Sequence, residues 1–285
     1  MKLLKKVLKI VIIVLSIVLV ILYLLFVNFS APKSNDKVIQ SFKNEGLEVN
    51  IAFKKYKEFT YRVVASQKVI DSNKTSLVFV HGAIGSAIDF KKYMTDSLLL
   101  KKYNMISYDR VGYNYNDKTL AQKNLKFEVA VLNNLLKKLD SDNTILIGYS
   151  YGGPIVLSSE KKYKSILLLA PAVYSKVEPM PFMLNFYKWK ITRWLVPHVW
   201  KSASLEKMSH KEELSLYEKT WFNNPSKIIS IHGDDDGIVP YQNSLYLKEQ
   251  FPKHQFELKT IKKEGHSLVW TSFEFIKKEL LKLSY

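Results

Sequence analysis

The chain has 285 residues, 43 Lys and Arg against 26 Asp and Glu, a formal net charge of +17 and a pI near 9.6. At 47% hydrophobic, with 10 Gly and 9 Pro, it is too apolar and too poor in chain breakers for a disordered or collagen-like protein. Cysteine is absent, which excludes disulfide scaffolds, thiolate zinc sites, Fe–S clusters and cysteine nucleophiles.

The basic residues are mostly Lys, spread along the whole length. No basic run with interleaved aromatics marks a nucleic-acid groove, so no nucleic-acid partner is expected. His and acidic residues do not cluster at ligand spacing, so no metal is expected either.

From Ile10 to Pro32 there is no charged residue, and Ile10 to Val27 is nearly all Ile, Val and Leu. At 1.5 Å per residue such a run crosses a hydrocarbon layer about 30 Å thick. Lys2, Lys5, Lys6 and Lys9 precede it with no acid among them, so residues 1–9 are expected as a cytoplasmic tail. Residues 10–30 are then a single-pass transmembrane anchor, with the remainder extracytoplasmic. Secretion after signal cleavage is the alternative; the apolar run is longer than a signal core of about 7–15 residues, and Val27-Asn28-Phe29-Ser30-Ala31 offers no good small-x-small site. Residues 31–49 are expected as a stalk, and about 250 residues remain for one domain. Setting aside the four tail lysines leaves +13 of the formal +17 on the rest, a charge suited to anionic lipid head groups.

Beyond the stalk, short apolar runs alternate with helical patterns. Strands are expected at Phe59–Val64, Leu77–Val80, Met105–Tyr108, Thr144–Ile147, Ile166–Leu169, Ile228–Ile231 and Phe256–Ile261. Helices are expected at Leu120–Leu139, Gly153–Lys162, Tyr241–Gln250 and Leu268–Leu281; positions 125, 129, 132, 135, 136 and 139 make an apolar stripe. Continuous apolar strands separated by helices indicate an α/β fold with a parallel sheet covered on both faces. Reactive groups in such sheets gather at the carboxyl ends of the strands.

Four strand ends carry the chemistry. Gly148-Tyr149-Ser150-Tyr151-Gly152 is G-x-S-x-G between a strand and a helix, the context that lifts a serine hydroxyl above the sheet. Serine needs a base, itself oriented by a carboxylate. Of the six His, His266 follows the last strand beside the expected nucleophile, whereas His81 and His232 end strands before Gly and are read as structural. For the carboxylate, His232-Gly233-Asp234-Asp235-Asp236-Gly237 offers three acids; Asp236, at the apex of the loop, is favoured and Asp234 comes next. The Gly-rich turn His81-Gly82-Ala83-Ile84-Gly85 can present the Ala83 amide as one oxyanion donor, with the Tyr151 amide as the other.

Together HGAIGSA (81–87), SYDRVGYN (107–114), GYSYGG (148–153), HGDDDGIVP (232–240) and GHS (265–267) resemble the α/β-hydrolase superfamily over residues 50–285. The resemblance implies an eight-stranded, mostly parallel sheet, no cofactor, Ser150 as nucleophile, His266 as base and Asp236 as acid. It implies a serine hydrolase of the carboxylic-ester type acting on a small or lipid-like apolar ester. Other chemistry of the superfamily (amide, thioester or C–C hydrolysis, perhydrolysis) and a non-catalytic binding module are the alternatives. Val111, Asn114 and Asn116 depart from the family's D-R-P-G-x-G-x-S loop, which puts the pocket floor in question. Residues 172–227 resemble the superfamily's cap and hold four of the five Trp. Ile84, Tyr149, Phe182, Trp189 and Trp194 are the expected substrate contacts.

Overall fold

The computed structural model describes residues 2–283. The apolar run forms one uninterrupted helix, α1 (Lys2–Ser30), none of whose residues is buried. It is long and apolar enough to cross a membrane, and Pro32 stands just beyond its end.

The segment expected as a stalk is instead structured. Ser34 caps α2 (Asn35–Lys43), and Val38 and Phe42, one turn apart, are fully buried. Two apolar positions among polar neighbours are too sparse a stripe to read from the sequence, yet burying them fastens the chain to the domain by about 1.5–3 kcal/mol each.

The strands are β1 (Asn50–Tyr56), β2 (Phe59–Ala65), β3 (Thr75–Val80), β4 (Tyr103–Tyr108), β5 (Thr144–Tyr149), β6 (Ser165–Leu169), β7 (Ile228–Gly233) and β8 (Phe256–Ile261). They form one sheet in the order β1-β2-β4-β3-β5-β6-β7-β8, in which β2 runs against both its neighbours and all other pairs are parallel. Every expected strand is present; β1 is additional, an edge strand whose lysines hid its alternation.

Between β3 and β4 lie α3 (Lys91–Met94) and α4 (Ser97–Lys102); α5 (Leu125–Leu136) precedes β5, and α6 (Gly152–Leu157) follows it. The insertion between β6 and β7 holds α7 (Leu184–Lys188) and the long α8 (His198–Tyr217). After β7 come α9 (Gln242–Gln250), α10 (Leu268–Thr271) and α11 (Phe273–Lys282). The expected helix at 268–281 is thus broken at Ser272, whose hydroxyl bonds Glu264 at 2.6 Å.

Strand alternation splits the core into two layers. Val78, Val80, Leu146 and Leu168 face Leu132 of α5, Ile155 of α6 and Leu247 of α9. Leu77, Phe79, Ile145, Ile147 and Leu167 face the other way, onto α2, α3, α4, α10 and α11. From β3 the chain steps to β4 on one side and then to β5 on the other, so the crevice between the ends of β3 and β5 is the topological switch point.

Candidate active site

Ser150 stands at that switch point, between β5 and α6. Its φ of +54° lies in the left-handed region, where a non-glycine residue is strained. The surroundings hold it there: its amide donates to the Leu169 carbonyl at 2.9 Å, and its carbonyl accepts from the amides of Gly153 at 2.9 Å and Ala172 at 3.2 Å. Glycine is required nearby, since a Cβ on Gly152 would strike the Val80 carbonyl and one on Gly82 would come within 2.8 Å of Ser150 Cβ.

Ser150, His266 and Asp236, from three strand-end loops, form one hydrogen-bonded line. His266 Nδ1 lies 2.7 Å from Asp236 Oδ2, and Nε2 lies 3.0 Å from Ser150 Oγ. An ionised carboxylate only accepts, so Nδ1 carries the proton and Nε2 is left to accept from the serine hydroxyl. Asp236 Oδ1 takes the amides of Ile238 at 2.9 Å and Val239 at 2.8 Å, and His232 Nε2 lies 3.3 Å from Oδ2. Burial pushes the Asp236 carboxyl up, but hydrogen bonds from His232 and His266 outweigh it and hold its pKa well below the usual carboxylate range. Asp234 points elsewhere and accepts the Lys263 amide at 2.6 Å.

His81 and His232 are bound up in the scaffold. His81 is fully buried, and burial together with the Arg110 charge pushes its pKa well down, so its ring is neutral. Its Nε2 accepts the Arg110 amide at 2.9 Å while Nδ1 donates to the Gly82 carbonyl at 2.7 Å. The N–H of Ala83 leaves that peptide on the side opposite the carbonyl.

Ser150, Tyr151, Ala83 and Ile84 all line one cavity of about 520 Å³, within the range of about 300–1,000 Å³ usual for small-molecule sites. Its walls are mostly apolar, from Leu184, Phe186, Leu195, Trp200 and Ile238, and two wall residues, Tyr23 and Phe26, come from α1. A polar group also faces in: buried Glu178 accepts from Lys207 and from His210 Nδ1, the latter at 2.9 Å. Burial pushes the Glu178 carboxyl up, yet the hydrogen bond and charge of His210 and the charge of Lys207 hold it below its ordinary value.

Of the expected substrate contacts, Ile84 is a wall residue, while Tyr149, Phe182, Trp189 and Trp194 lie outside the lining. Tyr149 falls on the opposite face of β5 by strand alternation; its ring stacks on His266 with centroids 5.1 Å apart, and its hydroxyl donates to the His266 carbonyl at 2.9 Å. Phe182, Trp189 and Trp194 sit on the outer surface of the insertion, because the inner one is taken by Leu184, Phe186 and Leu195. Sequence reasoning missed Tyr23, Phe26, Glu178 and His210, since only tertiary docking brings them to the cavity.

The departures at Val111, Asn114 and Asn116 leave an ordered loop. Gly112, at φ +95°, bonds Ser202 of α8 through its carbonyl at 2.9 Å, and Asn114 Oδ1 accepts the amides of Asn116 at 2.7 Å and Asp117 at 3.1 Å.

A family model for the alpha/beta hydrolase fold matches residues 75–207. No curated protein matches the sequence. Among solved structures, the chain is similar to a putative lipase from Acinetobacter baumannii, with a TM-score of 0.63 at 15% identity over 88% of this chain and 97% of that one. It is similar to a membrane phospholipase A described as a bacterial virulence factor, with a TM-score of 0.64 at 12% identity over 98% and 97% of the two chains. A bromoperoxidase from Bacillus anthracis gives a TM-score of 0.60 at 17% identity over 82% and 99%. At such identities the likeness concerns the fold. Sheet order, matched segment and these neighbours together identify the chain as an α/β-hydrolase-fold protein.

Proposed function

We propose that the protein is a serine hydrolase that cleaves a carboxylic ester of a lipid-like apolar substrate, of the class EC 3.1.1. The observation that carries this reading is the hydrogen-bonded line Ser150–His266–Asp236 opening into a mostly apolar cavity. The lipase and phospholipase names of two structural neighbours agree with it.

In this mechanism His266 Nε2 takes the Ser150 proton as Oγ attacks the ester carbonyl carbon. Asp236 stabilises the imidazolium that forms. The amides of Ala83 and Tyr151 receive the oxyanion, each such donor being worth about 10²–10³ in rate. His266 then protonates the leaving alkoxide, and the acyl group stays on Ser150. Water, deprotonated by His266, attacks the acyl-enzyme and releases the carboxylic acid.

In the same reading residues 50–285 are the hydrolase domain, 172–227 its cap, and 10–30 an uncleaved anchor with the basic tail in the cytoplasm and the catalytic domain outside. The test treats the full-length protein with a fluorescent fluorophosphonate beside its Ser150→Ala variant. Labelling lost only in the variant is expected; absence of labelling in folded wild type overturns the catalytic reading in favour of a ligand-binding module.

A further inference from the structure

The hydrolase domain does not close the cavity behind Ser150 by itself. Tyr23 and Phe26 of α1 form part of its wall. Phe26 packs on Trp200 of α8 with ring centroids 5.5 Å apart, and the Trp200 indole N–H donates to Ser30 Oγ at 3.0 Å, one turn further along α1. Just beyond, the Arg62 guanidinium holds the Lys33 carbonyl at 2.8 Å and Asn35 Oδ1 at 3.1 Å. With α2 packed into the core immediately afterwards, no slack linker separates helix from domain.

The position of that wall along the helix says what reaches it. Lys9 is the last charged residue before Lys33. At 1.5 Å per residue, Tyr23 and Phe26 lie about 21 and about 26 Å from Lys9, inside a hydrocarbon layer about 30 Å thick. The wall thus sits at the depth of the acyl chains in the leaflet next to the domain.

The cap completes the contact. Its segment 181–197 supplies Phe186 and Leu195 to the cavity, while its outer side leaves Phe182 68%, Ile191 81% and Trp194 70% exposed. Lys188, Lys190 and Arg193 are interleaved with these. Exposed aromatics among cations suit the boundary between acyl chains and anionic head groups.

We propose that α1 is a wall of the acyl-binding site as well as an anchor, and that the substrate is a long-chain ester lipid of the adjoining leaflet. Its acyl chain enters sideways, between α1 and the 181–197 segment, and its ester carbonyl reaches Ser150 without crossing water. This rests on the serine-hydrolase reading above.

The test uses the full-length protein in phosphatidylglycerol–phosphatidylethanolamine vesicles and a series of alkyl fluorophosphonates whose chains, from four to sixteen carbons, end in a diazirine. Ser150 Oγ bonds to phosphorus, fluoride leaves, and the serine proton passes to His266. Illumination then expels N₂ from the diazirine, and the carbene inserts into whatever lines the chain's end. After trypsin, the expected product for the longer chains joins peptide 139–161, which carries Ser150, to peptide 10–33, which carries Tyr23 and Phe26. Cross-links confined to the 171–240 region or to vesicle lipid, at every chain length, overturn the proposal while leaving the hydrolase reading intact. Failure to phosphonylate Ser150 at all overturns both.

Discussion

Arg110, at the end of β4, is ion-paired with Glu206 in the middle of α8, and both side chains are fully or almost fully buried. Glu206 also accepts the Tyr113 hydroxyl at 2.5 Å, and Glu128 of α5 lies 3.4 Å from the same guanidinium. One cation thus ties sheet, α5 and α8 together, and it sits over the Tyr151 ring at 4.6 Å.

Removing a partner from such a pair leaves a buried charge partly uncompensated, which costs about 3–5 kcal/mol. Glu206→Ala is therefore expected to lower the denaturant midpoint strongly, and Arg110→Met combined with Glu206→Met and Glu128→Gln, which removes every charge of the cluster, to recover much of the loss. Urea unfolding of both variants, followed by far-UV circular dichroism, checks this; equal losses would mean that the pair's charge is not what matters.

Gly82 predicts a loss of activity without loss of fold. The Cβ of Gly82→Ala would sit 2.8 Å from Ser150 Cβ, too close for either backbone to stay in place. Displacing the serine by a few tenths of an ångström, together with the neighbouring Ala83 amide, is expected to cut the rate of fluorophosphonate labelling about 100-fold. Unchanged near-UV dichroism with unchanged labelling would refute the placement of that turn.

Much of this arrangement was legible in the sequence. Buried parallel strands are continuous apolar runs, so β3 to β7 stand out, and Ala83, Ser150 and Asp236 follow three of them, while His266 follows the half-exposed β8. Asp236 could be preferred over Asp234 from its place in the loop, and the structure brings Asp236 to His266. That Tyr149, Phe182, Trp189 and Trp194 stand outside the lining of this cavity was not legible, because composition gives no account of which face of β5 or of the insertion a side chain takes. The wall from α1 was beyond reach for another reason: an apolar helix reads as membrane-spanning whether or not one of its turns also packs against Trp200.

Two carboxyls give opposite pH dependences of stability. Burial raises Asp89 to about 7 despite its bond from the Ser86 amide at 3.1 Å. Unfolded, an aspartate titrates near 3.9, so folding favours the protonated form; the contribution is full at low pH and is lost as pH rises from about 4 through about 7. Asp236 is shifted down, so its contribution is full above the ordinary carboxylate range and is lost as pH falls below it. Relative to wild type, Asp89→Asn is expected to gain stability between pH 5 and 8, and Asp236→Asn to lose least in acid. Thermal unfolding across pH 3–8 measures both, and parallel curves for variants and wild type would refute both.

In the proposed reading, two sets of residues in the 172–227 insertion separate recognition of the acyl chain from contact with the bilayer. Phe186 and Leu195 face the cavity, whereas Trp189 and Trp194 face outward. Truncating a cavity residue removes contacts worth about 1–3 kcal/mol that only a long acyl chain can make. Phe186→Ala and Leu195→Ala are therefore expected to shift the preference among p-nitrophenyl esters toward shorter chains by about tenfold. Trp189→Ala with Trp194→Ala is expected to keep that preference and to lower turnover of long-chain ester lipid presented in vesicles several-fold, because each indole contributes only to seating the cap in the interface. A chain-length profile that moves with the tryptophans and not with Phe186 and Leu195 would exchange the two roles.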